Sequence, residues 1–516
     1  MTAYLDLLMF VALIGAIISG FPVAFSIAGV AVIFGYLGWA VGAMDISLLG
    51  AFSQRVFGLI SNQVLIAIPL FVFMGALLDK SRVAEELLDT MGRTFGQLRG
   101  GLGIAVVLVG ALLAASTGIV GATVVAMGLI ALPTMLRNGY DPRVASGIVC
   151  TAGTLGQIIP PSTLLIILAD VMSNAYQQAQ YQQGKFAVEA LSVGQFFAAA
   201  LVPGLVLVGL YLLYIIGRGV VRPADMPPAS GALVRVAAGE VMRAVVPPIV
   251  LIFAVLGSIL GGVATPTEAA SVGAIGAMLL ASLRQRRYRK TILAGAVVLI
   301  LLAVAAGVFP VRLQRSDLTA TAWLVGAGYI GLAIVASGAV VVGLGNLLRG
   351  GIVQQAVTST MTMTTMIFST ILAAGMFSLV FVGLGGEERV AYWLANLPGE
   401  AVGALVATML IVFLLGFFLD FVEISVIVLP VVVPSLILLG HDPLWLGILL
   451  AINLQTSFLT PPFGFSLFYL RGAAPKEVTT GQIYRGIVPF IVLQVVGISL
   501  IYFVPGLATW LPRVIF

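Results

Sequence analysis

The proline pairs Pro160-Pro161 and Pro461-Pro462 lie in apolar stretches of the chain. Each proline lacks a backbone N–H donor and clashes with the preceding turn, so we expect a helix to be interrupted there. Unpaired carbonyls and hydroxyls at membrane depth suit a partly dehydrated cation such as Na⁺, whereas the N-terminal ends of half-helices suit an anion. A kink that serves only packing is the alternative for a single pair. The small and polar residues before the two pairs are Thr151, Gly153, Thr154, Gly156 and Gln157, then Asn453, Gln455, Thr456, Ser457 and Thr460.

Two carboxylates, Asp420 and Glu423, fall within the otherwise apolar block 402–437. Ionisable groups at membrane depth are functional candidates by default, because their burial in lipid is costly. The alternative is a structural role, in which each carboxylate accepts hydrogen bonds from the backbone of a turn. We interpret Glu268, which follows Thr265-Pro266-Thr267, as a structural residue at a helix N-terminus.

The composition places these residues in a membrane protein. Of the 516 residues, 60% are hydrophobic and 9% charged, and the mean hydropathy is +1.16; soluble chains have about 25% charged residues. This excludes a soluble enzyme, a nucleic-acid binder and a disordered chain, and predicts an all-α polytopic membrane protein. Cys150 and His441 stand alone in their residue types, which excludes a disulfide framework, a transition-metal site built on cysteines and a two-histidine site. We find no paired catalytic set, no phosphate-binding loop and no cleaved signal peptide at Met1–Leu5.

The distribution of lysine and arginine predicts the topology. Five loops rich in these residues are placed in the cytoplasm, and the cation-poor loop 171–191 is placed outside. Counting spans between them requires the blocks 101–136 and 402–437 each to begin and end on one side. An arm of ~15 helical residues reaches only about 22 Å, short of a ~30 Å hydrocarbon core. We therefore predict two re-entrant hairpins, with two short tilted spans per block as the alternative.

A sequence repeat links these blocks to the proline pairs. Gly139, Asp141-Pro142 and Pro160-Pro161 recur 301 positions later as Gly440, Asp442-Pro443 and Pro461-Pro462. By the span count the two copies enter the membrane from opposite sides. The sequence thus predicts an inverted-topology repeat, in which each copy joins a re-entrant hairpin to a broken helix.

At this repeat the sequence resembles the large membrane subunit of the tripartite ATP-independent periplasmic (TRAP) transporters, within the wider ion-transporter superfamily. The resemblance extends over nearly the whole chain. Its matching stretches are Ala67–Phe71, Ser116–Gly128, Gly153–Ser162, Ala264–Ala270, Asn453–Gly464 and Arg485–Phe490.

The resemblance implies a multi-pass protein of the bacterial inner membrane that works as an elevator-type secondary transporter. It implies coupling to Na⁺, with no other cofactor, and uptake of a small carboxylate-type organic anion. Two partners are implied, a small membrane subunit and a periplasmic substrate-binding protein. The alternative is an ion-coupled anion symporter of the same superfamily that works without a binding protein.

The resemblance also implies where the ions and the substrate bind. One Na⁺ site would lie where the first hairpin meets its broken helix, the other at the equivalent place in the second copy, with the substrate between. The residues implied for the first site are Ser116, Thr117, Gly118, Gly153, Thr154 and Gly156. Those for the second are Asp420, Glu423, Asn453, Thr456 and Thr460. Those for the substrate region are Thr123, Pro160, Pro161, Ser162, Pro461, Pro462 and Gly464.

The expected organisation alternates scaffold and transport units. The two transport units are 101–170 and 402–472, each a hairpin followed by a broken helix. Two spans at 284–350 have no counterpart in shorter members of the family and are expected to be a peripheral addition. The remaining segments are 1–100 with a membrane-surface arm, 171–283 and 351–401 as scaffold and linker, and 473–516 as the C-terminal span.

Overall fold

The computed structural model describes residues 4–118, 120–228, 237–285, 288–309 and 320–516. All regular secondary structure in these ranges is helical, and nine of the helices are long and apolar enough to cross a membrane. The chain is therefore an all-α polytopic membrane protein, as its composition predicts.

Ten α-helices lie among the described residues up to 228. Their bounds are α1 Leu5–Ile18, α2 Val23–Ala40, α3 Phe52–Ser61, α4 Ala67–Lys80, α5 Val83–Phe95, α6 Gly101–Thr117, α7 Val120–Arg137, α8 Pro142–Thr154, α9 Thr163–Gln182 and α10 Val193–Val221.

Thirteen further α-helices lie in the described ranges from 237 onward. Their bounds are α11 Ala238–Leu260, α12 Pro266–Arg284, α13 Arg289–Val308, α14 Ala320–Arg349, α15 Ile352–Gly383, α16 Gly386–Ala395, α17 Glu400–Leu415, α18 Phe421–Glu423, α19 Leu429–Leu438, α20 Pro443–Leu459, α21 Phe465–Ala473, α22 Thr480–Phe503 and α23 Gly506–Ile515. A π-helical stretch, Ile424–Val428, joins α18 to α19.

The helix boundaries of the two copies coincide at the predicted offset. α7 begins and ends 301 positions before the α18–α19 helix does, and α8 begins 301 positions before α20. Local residues explain this register. Gly139 and Gly440 have φ of +80° and +97°, which lets the chain reverse after each hairpin. Asp141 and Asp442 then cap α8 and α20 through their side chains, and a proline fills the first helical position.

The two copies pack against each other reciprocally. α7 of the first hairpin contacts α21, and α19 of the second hairpin contacts α9. Each hairpin thus lies against the second half of the other copy's broken helix. α8 and α20 contact each other at the centre of this arrangement.

A close helix crossing joins α8 to α22. A Cβ placed on Gly147 would lie 2.2 Å from the carbonyl oxygen of Gly486, and a Cβ on Gly486 would lie 1.9 Å from that of Arg143. Only glycine permits backbones to approach so closely, as at small-residue crossings in membranes. The crossing holds the C-terminal span directly on the first broken helix.

Helices outside the two copies form a second packed group. α4 packs on α12 and α15, and α2 packs on α15. At one edge of this group, Nε of Arg389 on α16 lies 2.8 Å from Oδ2 of the buried Asp6 on α1. This ion pair joins the start of α1 to α16.

The end of α9 differs from the sequence-based expectation. The residues after 170, predicted as the start of an outer loop, continue α9 as a regular helix to Gln182; alanine and glutamine favour helix, and the helix extends beyond the predicted span. The proline pair Pro247-Pro248 lies inside α11, which continues through it. The additional spans correspond to α13 and α14, which pack on each other and on α12.

Candidate functional site

The tip of the first hairpin is a sharp turn between α6 and α7. Gly118 has φ of +60°, a conformation that favours glycine. A Cβ on Gly118 would lie 3.1 Å from both the backbone N and the Oγ1 of Thr163, so the tip lies directly against the start of α9. The side chains of Ser116 and Thr117, both predicted for the first Na⁺ site, lie outside the described part of the structure.

The first broken helix is interrupted at the predicted proline pair. After α8, the turn Leu155–Gln157 is 3₁₀-helical, and α9 begins only at Thr163. The hydroxyl of Ser162 donates a 2.8 Å hydrogen bond to the carbonyl oxygen of Gln157 and caps α9 at Leu165. The peptide bond between Pro160 and Pro161 is cis. The interruption thus keeps the chain non-helical over five buried residues.

Polar side-chain atoms without partners concentrate at this interruption. The side chain of Gln157 is buried and has no hydrogen-bond partner on either polar atom, and the buried Oγ1 of Thr163 has none. Native proteins rarely leave such groups unpaired, since each costs free energy unless a ligand, ion or water satisfies it.

Three residues predicted for the first Na⁺ site lie at the end of α8 and in the turn that follows it. A Cβ on Gly153 would lie 2.4 Å from Cγ2 and 3.0 Å from Cα of Val124 on α7, so α8 and α7 are in tight contact. The Thr154 hydroxyl donates to the Thr151 carbonyl oxygen at 2.9 Å. Gly156 is buried in the 3₁₀ turn, which both hairpin arms contact.

The second tip is held by a capping box. The Asp420 side chain caps α18, and Oε2 of Glu423 accepts a 2.7 Å hydrogen bond from the backbone N–H of Asp420. Both carboxylates therefore satisfy the N-terminal N–H groups of the helix that leaves the tip. Glu423 is buried, whereas Asp420 is half-buried and faces a cavity. The structural role weighed for these residues is thus present, and their remaining oxygen lone pairs leave room for a second role.

The second broken helix repeats the design of the first. α20 ends at Leu459, and the interruption at 460–464 contains a cis bond between Pro461 and Pro462. The Ser466 hydroxyl donates a 2.6 Å hydrogen bond to the carbonyl oxygen of Phe458, which lies 301 positions after the Gln157 carbonyl used in the first copy. In both copies a buried serine satisfies the same backbone oxygen.

The residues predicted for the second Na⁺ site make separate contacts along α20. Asn453 donates from Nδ2 to the carbonyl oxygen of Met409 at 2.7 Å. Thr456 and Thr460 donate to backbone oxygens one turn earlier, as hydroxyls in helices often do. Their oxygens retain acceptor capacity, and the buried hydroxyl of Ser457 has no hydrogen-bond partner.

A cavity of about 300 Å³ lies between the two tips, and we call it the tip cavity. The starts of α7, α9, α18 and α21 all border it, through Val120, Thr163, Phe421 and Phe465. Helix N-termini carry partial positive charge, so the starts of α7, α9 and α21 at one space favour an anion, whereas the start of α18 is capped by Asp420 and Glu423. The remaining lining residues are Gly118, Gly121, Ala122, Val125, Met363, Met366, Ile367, Asp420, Val422, Phe458 and Tyr469.

The predicted substrate residues lie around this cavity rather than on its wall. Ser162 precedes the lining residue Thr163, and Gly464 precedes the lining residue Phe465. Thr123 lines a different cavity of about 120 Å³ on the scaffold side of α7. The four prolines Pro160, Pro161, Pro461 and Pro462 shape the interruptions without lining the tip cavity.

The sequence analysis missed the side chains that form most of the wall. Thr163 could have been found from the sequence. The proline pair followed by Ser162, a residue that commonly caps helices, indicates that a half-helix begins at Thr163. Phe458, Phe465 and Tyr469 carry no such signal, because their direction depends on how α21 turns after the break. Met363 and Met366 come from α15, outside both copies.

Comparison with known proteins identifies the family. The profile described as "Tripartite ATP-independent periplasmic transporter, DctM component" matches residues 10–507. The chain belongs to this family. It is therefore the large permease subunit of a TRAP transporter, and not an enzyme.

The permease has full-length relatives that are named for different substrates. It is 28% identical to the C4-dicarboxylate TRAP transporter large permease of Vibrio cholerae, over 98% of this chain and 97% of that one. It is 24% identical to the ectoine permease of Halomonas elongata, over 98% of both chains. The sialic acid permease of Vibrio cholerae is also 24% identical, over 97% of this chain and 96% of that one.

Among solved structures the permease is similar to the Alcanivorax borkumensis YdaH transporter. The TM-score is 0.50 at 15% sequence identity, with 89% of this chain and 87% of that chain covered. This likeness supports the fold. Membership of the tripartite family itself implies a substrate-binding protein and a small permease as partners of this multi-pass inner-membrane protein.

Proposed function

We propose that the permease takes up a small organic anion together with Na⁺, after a periplasmic binding protein delivers the anion. The single observation that carries the proposal is the tip cavity, where both hairpin tips and the restarted halves of both broken helices meet. Interrupted helices that converge at membrane depth are the usual architecture of ion-coupled substrate sites.

The first cation site is proposed between the tip of the first hairpin and the interruption of the first broken helix. Gly118, Gly153, Thr154 and Gly156 lie where the hairpin arms touch the 3₁₀ turn, and Ser116 and Thr117 complete the predicted set. The unpartnered amide oxygen of Gln157 adds a hard oxygen ligand at the same turn. Carbonyl and hydroxyl oxygens of this kind are ligands for an alkali cation.

The second cation site is proposed between the tip of the second hairpin and α20. Asp420 and Glu423 supply negative charge, and Asn453, Thr456 and Thr460 supply oxygens along α20. Gly416 at the start of the tip approaches α20 closely, since a Cβ there would lie 2.1 Å from Oγ of Ser457. A cation here would satisfy the unpartnered Ser457 hydroxyl and neutralise a buried carboxylate.

Movement of the hairpins and broken helices against the scaffold is proposed as the transport step. α15 contributes Met363, Met366 and Ile367 to the tip cavity, so the anion would lie between a scaffold helix and the two tips. Polar contacts cross the same boundary. Asn62 donates to Asp170 on α9 at 2.8 Å, and Gln178 donates to Glu387 on α16 at 2.5 Å. These hydrogen bonds would break, and others would form, as the hairpins and broken helices move against the scaffold.

Reconstituted uptake tests the proposal. The permease is placed in proteoliposomes together with its small membrane subunit and its binding protein, and the ligand found in that binding protein is supplied outside. We expect uptake to require an inward Na⁺ gradient and the binding protein together. Uptake that persists in K⁺ alone would exclude Na⁺ coupling.

The same assay distinguishes the three-component transporter from a stand-alone symporter. Na⁺-driven uptake of the free anion by this chain alone, at the rate seen with the binding protein, would favour the stand-alone mechanism. The family match favours the three-component system.

A further inference from the structure

The chemistry of the tip cavity points to a particular kind of anion, and this inference rests on the proposed transport site. We infer that the cavity takes an organic anion with one carboxylate and a ring-sized apolar body, rather than a C4-dicarboxylate. The inference separates this permease from relatives whose printed names refer to C4-dicarboxylates.

Hydrogen-bond donors lie on one side of the tip cavity. The first turn of α7, Val120 to Ala122, borders the cavity there, and the leading N–H groups of a helix have no partner within it. Thr163 borders the same side, and its buried hydroxyl has no hydrogen-bond partner. A carboxylate at this position would accept from both the hydroxyl and the helix N-terminus.

The opposite side of the cavity carries negative charge. Asp420 borders it, and the N-terminus of α18 is already capped by Asp420 and Glu423. Among the described residues that line the tip cavity there is no lysine or arginine. The single Na⁺ proposed for the second site would neutralise only one of the two carboxylates Asp420 and Glu423, so a second carboxylate on the substrate would still meet a like charge.

The wall between these two sides is apolar and largely aromatic. Phe458 packs edge-on against Phe465 with ring centroids 5.5 Å apart, and Tyr469, Met363 and Met366 extend the surface. An aromatic or alicyclic body gains contact area and ring stacking on such a wall. A four-carbon dicarboxylate has two methylene groups to bury and would place its second charge against this wall, which is costly.

Binding to the purified full-length chain in lipid nanodiscs tests the inference. The probes are radiolabelled phenylacetate and succinate, measured by equilibrium dialysis in Na⁺ and in K⁺, with unlabelled cyclohexanecarboxylate and phenylacetamide as competitors. In Na⁺ we expect phenylacetate to bind at least about tenfold more tightly than succinate. Cyclohexanecarboxylate should compete, whereas the neutral phenylacetamide should not.

Two substitutions on α15 form a matched pair. Met366→Lys adds a cation to the apolar wall, so succinate should bind more tightly and phenylacetate more weakly. Met361→Lys changes the same residue type on the same helix at an exposed position that does not line the cavity, and should leave both affinities unchanged. Thr163→Val should weaken both carboxylates, while size-exclusion profiles report whether each variant folds.

The outcomes distinguish the inference from the function on which it rests. Na⁺-dependent binding of succinate as tight as that of phenylacetate would overturn the ligand class and leave the transport site standing. Absence of Na⁺-dependent binding of either probe to the folded chain would overturn the site, and the ligand class with it.

Discussion

Gln455 donates a 3.3 Å hydrogen bond from Nε2 to Oγ1 of Thr154, and the two residues are 301 positions apart. This separation is the offset of the sequence repeat, so each residue occupies the other's equivalent position. Both are fully buried, on α20 and α8 respectively. A contact between equivalent positions arises where a two-fold relation passes between two helices. The bond therefore marks the centre of the paired broken helices.

Thr154→Val should destabilise this centre. Valine keeps the shape of threonine but removes the acceptor, which leaves a buried amide unpaired at a cost of about 1–3 kcal/mol. Denaturant unfolding in detergent should report this loss. Thr362→Val is the control, because the Thr362 hydroxyl is exposed and bonds only to its own helix. Equal stability of the two variants would show that the Gln455–Thr154 bond contributes little.

Asp420→Asn separates charge from capping. Asparagine caps helices about as well as aspartate, so the second tip should keep its conformation. The Na⁺ concentration for half-maximal uptake should rise about tenfold or more, because the substitution removes a full negative charge from a partly desolvated site. Asp442→Asn, which alters the cap of α20 in the same way, should leave Na⁺ dependence unchanged. An unchanged Na⁺ dependence in Asp420→Asn would reduce Asp420 to a capping residue.

Glu423 has a matched counterpart in the scaffold. Glu268 accepts from the backbone N–H of Thr265 at 2.8 Å, as Glu423 accepts from that of Asp420 at 2.7 Å. Glutamine preserves both capping boxes. We expect Glu423→Gln to weaken Na⁺-dependent uptake and Glu268→Gln to have no effect, measured in the same proteoliposomes. If neither variant changes Na⁺ dependence, Glu423 serves the turn alone.

Gly153→Ala should loosen the first hairpin from its broken helix. The added methyl group would lie 2.4 Å from Cγ2 of Val124, so α7 or α8 must shift. We expect a loss of about 1–3 kcal/mol in unfolding free energy and a fall in uptake. In Gly328→Ala the methyl group meets no atom within 4 Å, and alanine should stabilise α14 slightly. Full Na⁺ affinity in Gly153→Ala would remove Gly153 from the first cation site.

A reversible cross-link tests the movement of α9. Cysteines that replace Asn62 and Asp170 should form a short cross-link, because the native side chains are 2.8 Å apart. The natural Cys150 is fully buried and should not react. Cross-linking should abolish uptake, and reduction should restore it. Cysteines at Ser282 and Asn346, whose side chains are 3.3 Å apart within the scaffold, should cross-link without loss. Normal uptake by the fully cross-linked Asn62–Asp170 pair would exclude this movement.

The sequence repeat aligned the helices of the two copies, and local residue chemistry explains their boundaries. The Asp-Pro steps at 141–142 and 442–443 give both a cap and a first helical proline at the starts of α8 and α20. The chemistry of the proline pairs predicted the two interruptions, and their recurrence in the repeat after small and polar residues supported that prediction. A proline pair alone does not suffice, since Pro247-Pro248 leaves α11 continuous.

Relations between distant segments were not accessible from the sequence. The Asp6–Arg389 ion pair brings the start of α1 next to α16, a contact that no local pattern indicates. The aromatic wall of the tip cavity depends on the direction in which α21 leaves the break, which no local pattern encodes. The predicted end of α9 was too early. Hydropathy indicates only the part of a helix that lies within the bilayer, whereas the helix itself can continue beyond it.

The crossing of Gly147 and Gly486 has a consequence for how much of the molecule travels during a transport cycle. Two backbones in such close contact have no room to slide past each other, because every lateral step brings a bulkier neighbour into the gap. If the hairpins and broken helices move as proposed, α22 must move together with the first broken helix. The moving part would then include the C-terminal span as well as the two hairpins, and the part that stays fixed would be correspondingly smaller.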